Sequence, residues 1–199
     1  MIKQFDTIEI MEGYISSKIH GAFSIMDMYV LSDYVKRLQA GDQYVEIGVD
    51  FGKSAATAVF QAPDGVTFMW IDIVDRQKPD GYPNLLSRAE FFASEGLNSV
   101  GTFIRDDANH VAQSWNKKVS MMFIDGDHTE HGCSNDIVNW FPHMKSGGYM
   151  LFHDYDQATS PGVVQAVNGL VRDSGLFDDF FIGRERFAMA TSIVGARKI

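Results

Sequence analysis

The sequence predicts a doubly wound α/β fold, in which helices cover both faces of a mostly parallel, seven-stranded sheet with an antiparallel last strand. Three observations lead to this prediction. Short apolar runs rich in β-branched and aromatic residues alternate with amphipathic stretches of helical spacing. The runs are continuously apolar, as is typical of strands buried on both faces of a parallel sheet. The last run follows its predecessor too closely for a crossover helix, so these two should pair as an antiparallel hairpin.

The elements can be assigned in chain order. The stretch AFSIMDMYVLSDYVKRLQAG has helical spacing and indicates one or two N-terminal helices that cap the sheet or line a pocket. The predicted strands are QYVEIG, VTFMWIDI, VGTFIR, VSMMFID, GYMLFHD, FDDFFIG and AMATSIVGARKI. Helical patterns such as LLSRAEFFASEG and GVVQAVNGLVRDSG lie between strands. We expect a single domain over residues 1–199, with a helical cap at 1–41 and an α/β core at 42–199.

Composition narrows the class of protein. A chain of 199 residues with 45% hydrophobic content suits one globular domain. The net charge of −9 disfavours polyanionic partners, so neither nucleic acid nor an anionic membrane is expected. The single cysteine, Cys133, excludes an intrachain disulfide, and the first residues lack the apolar core of a secretory signal. No apolar run approaches the roughly 18 residues of a membrane span. These features predict a soluble, cytoplasmic protein.

Polar residues stand at the ends of the predicted strands. Ligands of open α/β sheets bind outside the carboxyl ends of the strands, so residues at these ends are candidates for a site. They are Glu46, Asp72, Asp107, Asp125, His153 and Asp154. A single acid at a strand end is often merely solvated. Acids at several successive strand ends indicate a ligand site.

The first strand leads into the glycine-containing turn EIGVDFGKS. Gly48 and Gly52 suit a tight strand-to-helix turn that a ligand approaches closely, and Lys53 and Ser54 then open the helix. The spacing matches neither the three-glycine dinucleotide pattern nor a P-loop. This difference argues against a dinucleotide oxidoreductase. Glu46 also argues against a phosphate here and favours a ligand that carries an ammonium group.

Five motifs together resemble a known family. EIGVDFGKS, WIDIVD, RDDA, FIDGDHTEHG and WFPHMKSGGYMLFHDYD are similar to those of class I S-adenosylmethionine-dependent methyltransferases. Within that class, the chain resembles a small group with an Ile-Asp-Gly-Asp-His run after the fourth strand and His-Asp after the fifth. The likeness covers roughly residues 42–175. It implies a Rossmann-like fold and S-adenosyl-L-methionine as cofactor.

The resemblance also implies roles for residues of the first turn and the second strand. Glu46, Gly48 and Gly52 correspond to the methionine end of the cofactor, and Ser54 belongs with them. Asp72 corresponds to the acid that binds the two ribose hydroxyls. A carboxylate suits this role because, when ionised, it accepts two hydrogen bonds at once. Asp75 competes for this role, and a helix N-cap is the structural alternative for Asp72.

Further positions are implied for the third and fourth strand ends. Asp107 and Ala108 correspond to the pair beside the adenine, with Asp106 a less favoured alternative, and Asp125 is also placed at the cofactor. Departures from the family pattern are VDFG, which lacks the middle glycine of many relatives, and the long loop DIVDRQKPDGYPN, which could form a lid.

The implied reaction is methyl transfer from a sulfonium to a nucleophile. Such a displacement needs alignment of the acceptor and, for a hydroxyl acceptor, removal of its proton. His128, three residues after Asp125, is the predicted base, since a histidine pKa of about 6.5 leaves neutral imidazole at cytoplasmic pH. His131 is the alternative base. A helix-capping or supporting role is the structural alternative for His128.

A divalent metal could lie between the fourth and fifth strand ends. Asp125 and Asp154 offer the carboxylate oxygens that magnesium prefers. Related oxygen methyltransferases have a third acidic or amide ligand where this chain has His153. Imidazole is a poor magnesium ligand but suits manganese or zinc, so this histidine either changes the metal or abolishes the site. Without a metal, Asp154 would cap the following loop and Asp125 would orient His128.

The acceptor is expected to be a small molecule, with a hydroxyl oxygen as the methylated atom. Its pocket should involve the N-terminal helices, the loop 75–84 and the segment after Asp154. Aromatic candidates for its wall are Tyr14, Phe23, Tyr82 and Tyr155. A non-catalytic protein that binds S-adenosylmethionine or a nucleoside, or one resembling hydroxylases of this fold, is the alternative function. A homodimer through helices or an edge strand is also expected.

Overall fold

The computed structural model describes residues 2–78, 80–82 and 84–199. Its strands are β1 Gln43–Ile47, β2 Thr67–Ile71, β3 Gly101–Ile104, β4 Val119–Ile124, β5 Met144–Phe152, β6 Phe177–Ile182 and β7 Val194–Lys198. They form one seven-stranded sheet in the order β3-β2-β1-β4-β5-β7-β6. The strands β1 to β5 pair in parallel, whereas β7 is antiparallel to both of its neighbours. The predicted fold class and final antiparallel hairpin are confirmed, although the sequence did not indicate that β7 inserts between β5 and β6.

Helices cover both faces of the sheet. They are α1 Ile8–Ser16, α2 Ile25–Val35, α3 Lys53–Gln61, α4 Arg88–Ser94, α5 Ala108–Ser114, α6 Glu130–Trp140, α7 Pro161–Val167 and α8 Gly183–Arg186, with 3₁₀ turns at Leu97–Ser99 and Phe141–His143 and a π-helical segment at Asn168–Arg172. One apolar cluster contains buried side chains of α1 to α4, and a second contains those of α5 to α7. Among the described residues, no helix combines the length and apolar character needed to cross a membrane.

The strands supply alternate side chains to the two apolar clusters. In β1, Tyr44 belongs to the first cluster and Val45 to the second, as expected for a strand whose side chains alternate between faces. All residues of β1 and β4 are buried, including the polar Gln43, Glu46 and Ser120, as expected for strands with helices on both faces. Helices α1 and α2 fall within the predicted cap at 1–41 and share the first cluster with the sheet. The single-domain organisation stays a prediction.

The edge strand β6 is poorly suited to pairing with another chain. Its register against β7 shifts between Asp178 and Phe181. Asp178 and Asp179 also form ion pairs with Arg197 and Arg186. Irregular and charged edges resist edge-to-edge association, so this strand gives little support to the expected homodimer. The homodimer, through helices or an edge strand, stays a prediction.

The carboxyl ends of four parallel strands are held side by side by the sheet itself. The hydrogen-bond ladder continues past the strands, because Asp125 N donates to Ile47 O at 2.8 Å and His153 N donates to Ile124 O at 3.0 Å. On the other side of β1, Gly48 N donates to Ile71 O at 2.9 Å. The polar residues that follow these strands are thereby brought to one edge.

Candidate functional site

A cavity of about 710 Å³ lies at the carboxyl ends of the parallel strands. Among the predicted site residues, those that line it are Gly48, Gly52, Ser54, Asp72, Asp107, Ala108, Asp125, His128, His153 and Asp154. Glu46 is not among its lining residues. The volume falls within the roughly 300–1,000 Å³ range of small-molecule and cofactor pockets. The strand-end interpretation therefore places most of the predicted residues in one cavity.

Glu46 lies inside the protein rather than at the cavity surface. Its side chain is on the α3 side of β1, where Ser54 Oγ donates to Oε1 at 2.5 Å and the Tyr44 hydroxyl donates to Oε2 at 3.0 Å. Burial raises the pKa of Glu46 to about 8, although these two hydrogen bonds oppose the shift. In the structure Glu46 thus fixes Ser54 in the first turn of α3. Its direct contact with a cofactor stays a prediction.

The glycines of the first turn are required by packing. Gly48 has a φ of +79° and Gly52 a φ of +96°, both in the left-handed region. A Cβ on Gly48 would lie 1.9 Å from the carbonyl oxygen of Asp125, and one on Gly52 would lie 2.5 Å from Cε1 of Phe92. In the structure, the end of β4 and helix α4 leave no space for a side chain at these two glycines. The sequence predicts the glycines from the close approach of a ligand instead. Gly52 also begins α3 without a side-chain cap, beside the cavity.

Asp72 connects the loop after β2 to the glycine turn. Its Oδ2 accepts from the backbone N–H groups of Val49 and Asp50, both at 2.9 Å. Its Oδ1 accepts from Val74 N at 2.8 Å. A carboxylate has about four acceptor sites, so these bonds leave room for one more donor without rearrangement. The side chain is 12% exposed and reaches the cavity.

The structure places Asp72 and Asp75 in different surroundings. Asp75 does not line the cavity and instead accepts from Arg88 Nη2 at 2.9 Å. Arg88 is a buried cation that the sequence analysis did not single out, and its Nη1 lies 3.7 Å from Asp72 Oδ2. The next helix, α4, is capped by Ser87, so Asp72 is not a helix N-cap.

Asp107 and Ala108 lie at the start of α5 and line the cavity. Asp107 is the N-cap of α5 and accepts from Asn109 N at 2.7 Å. The carbonyl oxygen of Ala108 accepts from Trp140 Nε1 at 3.1 Å, which ties α5 to α6. Asp106 also lines the cavity but pairs with His110 Nδ1 at 3.0 Å.

Two carboxylates and two imidazoles meet at the ends of β4 and β5. His153 Nδ1 lies 3.2 Å from both Asp125 Oδ1 and Asp154 Oδ2. His128 Nε2 lies 3.0 Å from Asp154 Oδ2 and 3.9 Å from Asp125 Oδ1. The backbone of Asp154 adopts a left-handed conformation, with a φ of +55°. His131, the alternative base, also lines the cavity but is bonded to Asn135 on α6.

A buried aspartate of α2 completes this group. Asp27 Oδ2 lies 3.4 Å from His153 Nε2, and Asp27 is 5% exposed. Burial disfavours the protonated imidazole, but the carboxylates of Asp125, Asp154 and Asp27 outweigh it and raise the pKa of His153 well above its ordinary value. Hydrogen bonding to Asp125 and the charge of Asp154 likewise raise the pKa of His128. The sequence analysis missed Asp27, although an acid at a buried helical position was a signal for it.

Three side chains of this cluster are close enough together to bind one divalent metal ion. Ligand atoms of Asp125, His128 and Asp154 all lie within 4.8 Å of one another. The predicted ligand His153 is outside this group, and its two ring nitrogens face carboxylates of Asp125, Asp154 and Asp27. Two carboxylates and one imidazole suit manganese or zinc better than magnesium.

One of the four predicted aromatic residues reaches the cavity. Phe23 lines it and packs against His153, with 5.5 Å between ring centroids. Tyr14, Tyr82 and Tyr155 are not among its lining residues. Within the predicted pocket loop 75–84, Arg76 lines the cavity, whereas Pro79 and Pro83 lie outside the described residues.

Comparisons with known proteins agree with this geometry. Residues 45–155 match the methyltransferase domain family. An uncharacterized protein of Acanthamoeba polyphaga mimivirus is 27% identical in an alignment of 168 residues, which covers 80% of this chain and 73% of that protein.

Solved structures share the fold at low sequence identity. A proposed O-methyltransferase from Klebsiella pneumoniae is 13% identical, with a TM-score of 0.66 over 96% of this chain and 87% of that one. A proposed rRNA-methylase from Clostridium thermocellum is 17% identical, with a TM-score of 0.63 over 86% and 97%. The family match spans more than half of the 199 residues and contains the glycine turn and the cluster at the ends of β4 and β5, so the chain belongs to the methyltransferase domain family and has the class I methyltransferase fold.

Proposed function

We propose that the protein transfers a methyl group from S-adenosylmethionine to a hydroxyl oxygen of a small-molecule acceptor. The observation that carries this proposal is the cavity at the strand ends, where the glycine turn and Asp72 share one space with His128. Binding groups and a candidate base thus line the same cavity. The family match supports the reaction type, and the acceptor class goes beyond it.

The cavity suits the cofactor's chemical groups. Asp72 retains one acceptor site for a ribose hydroxyl, and the uncapped start of α3 offers backbone N–H groups suited to a carboxylate. Asp107 and Ala108 would lie beside the adenine. When bound, S-adenosylmethionine supplies an electrophilic methyl group on a sulfonium.

The protein's contribution to transfer is proton removal and positioning. We assign the base to His128, whose Nε2 faces Asp154 Oδ2 at 3.0 Å. With its proton on Nε2, the ring keeps Nδ1 free to accept a proton from the acceptor hydroxyl. His153, held in its charged form by three carboxylates, gives Asp125 and Asp154 a fixed counter-charge. Phe23 adds an apolar wall next to this cluster.

A small acceptor is favoured over nucleic acid by electrostatics. The chain carries a formal charge of −9, and binding to a phosphate backbone calls for basic surface. The fold does not separate the two classes, because the similar structures include both a proposed O-methyltransferase and a proposed rRNA-methylase.

Binding of the demethylated product, S-adenosylhomocysteine, tests the proposal. Isothermal titration calorimetry should show that Asp72→Ala weakens binding by about 1–3 kcal/mol, the usual cost of stranding buried hydrogen-bonding groups. Asp75→Ala is the matched control, because Asp75 is an acid of the same loop that lies outside the cavity lining. Equal affinities of the Asp72 variant and the wild type would refute the assignment. Product formation with a panel of phenols, catechols and sugars would then identify the acceptor.

The cluster of Asp125, His128 and Asp154 has the donor set of a manganese or zinc site, which is the alternative use of these three residues. The two uses exclude each other for His128, since a metal bound at Nε2 would replace the proton directed at Asp154. A protein that binds S-adenosylhomocysteine but forms no product with any acceptor would correspond to the non-catalytic alternative.

A further inference from the structure

Asp50 of the first turn has a backbone conformation that residues other than glycine adopt infrequently. Its φ is +47°, in the left-handed region, which aspartate tolerates better than most residues but less well than glycine. Asp50 lies in VDFG, the segment that lacks the middle glycine of the family pattern, and it lines the cavity. The turn must therefore be held in shape by contacts with its neighbours.

The polar groups of Asp50 are each bound by another residue. Its backbone N–H donates to Asp72 Oδ2 at 2.9 Å, and its backbone carbonyl accepts from Arg88 Nη1 at 3.2 Å. Its carboxylate pairs with Arg76 Nε at 2.7 Å. Both side chains of that ion pair are 47% exposed, so the pair contributes little to stability. The conformation of Asp50 therefore depends chiefly on Asp72 and Arg88.

Arg88 is the most deeply buried of these partners. It is 1% exposed and is not among the residues that line the cavity. Its Nη2 donates to the carbonyl oxygen of Val74 at 3.0 Å and to Asp75 Oδ1 at 2.9 Å. Its Cζ lies 3.5 Å from the ring centroid of Phe103 on β3. One planar group thus joins the turn after β1 to the loop after β2, which a lysine could not do, because an ammonium lacks the fork of a guanidinium.

Arg88 and Asp72 bind opposite sides of the same residue. Asp72 Oδ2 accepts from the N–H groups of Val49 and Asp50, while Arg88 donates to the carbonyl oxygen of Asp50. Between Arg88 Nη1 and Asp72 Oδ2 the distance is 3.7 Å, too long for a hydrogen bond. A shift of the Asp50 backbone on loss of Arg88 would move the donors that fix Asp72. The Asp72 carboxylate would then lose its direction toward the cavity.

We infer that Arg88 is a positioning residue of the cofactor site, which holds the Asp50 backbone in its left-handed conformation and thereby keeps Asp72 directed at the cavity. This inference rests on the proposed function, which assigns Asp72 to the cofactor. A glycine adopts the left-handed region without steric cost, so with glycine at position 50 the turn would keep its shape without the guanidinium. The effect of replacing Arg88 should therefore depend on the residue at position 50.

The experiment measures binding of S-adenosylhomocysteine by calorimetry in two backgrounds, the wild-type chain and Asp50→Gly. Arg88→Lys keeps the charge but loses the fork. In the wild-type background it should weaken binding about fivefold or more, as expected for the net loss of one hydrogen bond. In the Asp50→Gly background the same change should weaken binding by less than about twofold, because the glycine needs no support.

Two further variants serve as controls. Asp50→Gly also breaks the ion pair with Arg76, so Arg76→Gln provides a third background in which that pair is broken while Asp50 stays in place. There Arg88→Lys should again weaken binding about fivefold or more. Asp75→Ala removes the ion pair of Arg88 but leaves both of its bonds to backbone carbonyls, so it should bind S-adenosylhomocysteine like the wild type.

The outcomes separate the inference from the proposed function. An equal loss of affinity in the wild-type and Asp50→Gly backgrounds overturns the inference alone, as does wild-type affinity of Arg88→Lys. If Arg88→Lys does not fold, the added Asp50→Gly change should restore cooperative thermal melting, and a double variant that also fails to fold overturns the inference. A wild type that does not bind S-adenosylhomocysteine overturns the proposed function together with the inference.

Discussion

His153 Nδ1 lies 3.2 Å from Asp125 Oδ1, so the first side chains beyond two neighbouring strands are paired across the edge of the sheet. The register of β4 and β5 causes this pairing, because Ile124 stands opposite Phe152 and the next residue on each strand is Asp125 or His153. The imidazole also lies between Asp154 and Asp27. One cation therefore offsets part of the charge of three carboxylates, which come from α2 and from the residues after β4 and β5.

Replacement of His153 should destabilise the fold. His153→Gln removes the counter-charge of buried Asp27, and loss of one partner of a buried ion pair costs about 3–5 kcal/mol. We expect the lower value, about 3 kcal/mol, because Asp125 and Asp154 are partly exposed and can regain water. Urea unfolding measures the change. His131→Gln, at an exposed histidine of α6, should stay within about 0.5 kcal/mol. A loss below about 1 kcal/mol for His153→Gln would contradict the proposed ion pair.

Glu46 should make stability depend on pH. In the unfolded chain this carboxyl titrates near its ordinary pKa of 4.5, whereas burial raises its pKa to about 8 in the fold. Between these values the native state holds a proton that the unfolded state has lost, so the free energy of unfolding falls as pH rises. Glu46→Gln removes this titration and should gain stability relative to the wild type from a pH of about 5 to about 8.

Thermal melting at several pH values measures this effect. The matched control is Glu185→Gln, at an exposed glutamate of α8. The difference in melting temperature between Glu46→Gln and the wild type should grow with pH, whereas the Glu185→Gln difference should stay constant. A Glu46→Gln difference that is independent of pH would show that Glu46 has the same pKa in both states.

Local sequence was sufficient for the strands and for the position of the cavity. Mostly apolar runs predicted β1 and β4, and the polar residues after them indicated the edge of the sheet at which the cavity lies. Local sequence was insufficient to predict the orientation of the Glu46 side chain. Side chains alternate between the two faces of a strand, so Tyr44 and Glu46 lie on the same face, under α3. The family resemblance instead predicted that Glu46 lies at the methionine end of the cofactor.

Contacts between distant residues could not be read from local patterns. Asp27 and His153 are separated by most of the chain and meet only after α2 packs on the sheet. The same holds for Asp136 and Asn109, which α5 and α6 bring together. Likewise, the tight approach of Gly48 to the carbonyl of Asp125 depends on the pairing of β1 with β4. Such side chains acquire partners from tertiary packing, which no motif in one segment encodes.

The last prediction concerns the choice between a base and a metal at His128. His153 already supplies positive charge to Asp125 and Asp154, so a divalent ion would have to bind a group whose charge is partly balanced. It would also have to displace the proton that the proposed function places on His128 Nε2, because the imidazole nitrogen that binds a metal must carry no proton. We therefore expect no tight metal site, and methyl transfer that continues after exhaustive chelation.

Manganese is the most direct probe, because its free ion gives an electron paramagnetic resonance signal that binding removes. Titration of the chelated wild type should leave that signal unchanged at micromolar protein and metal. A one-to-one site that is lost in both Asp154→Asn and His128→Gln would contradict the prediction and assign the cluster to a metal. With an acceptor in hand, His128→Gln should abolish transfer while product binding persists, since the proposed function assigns His128 to the acceptor's proton and assigns the glycine turn and Asp72 to the cofactor. A fall in product affinity equal to the fall in transfer would instead place His128 in cofactor binding.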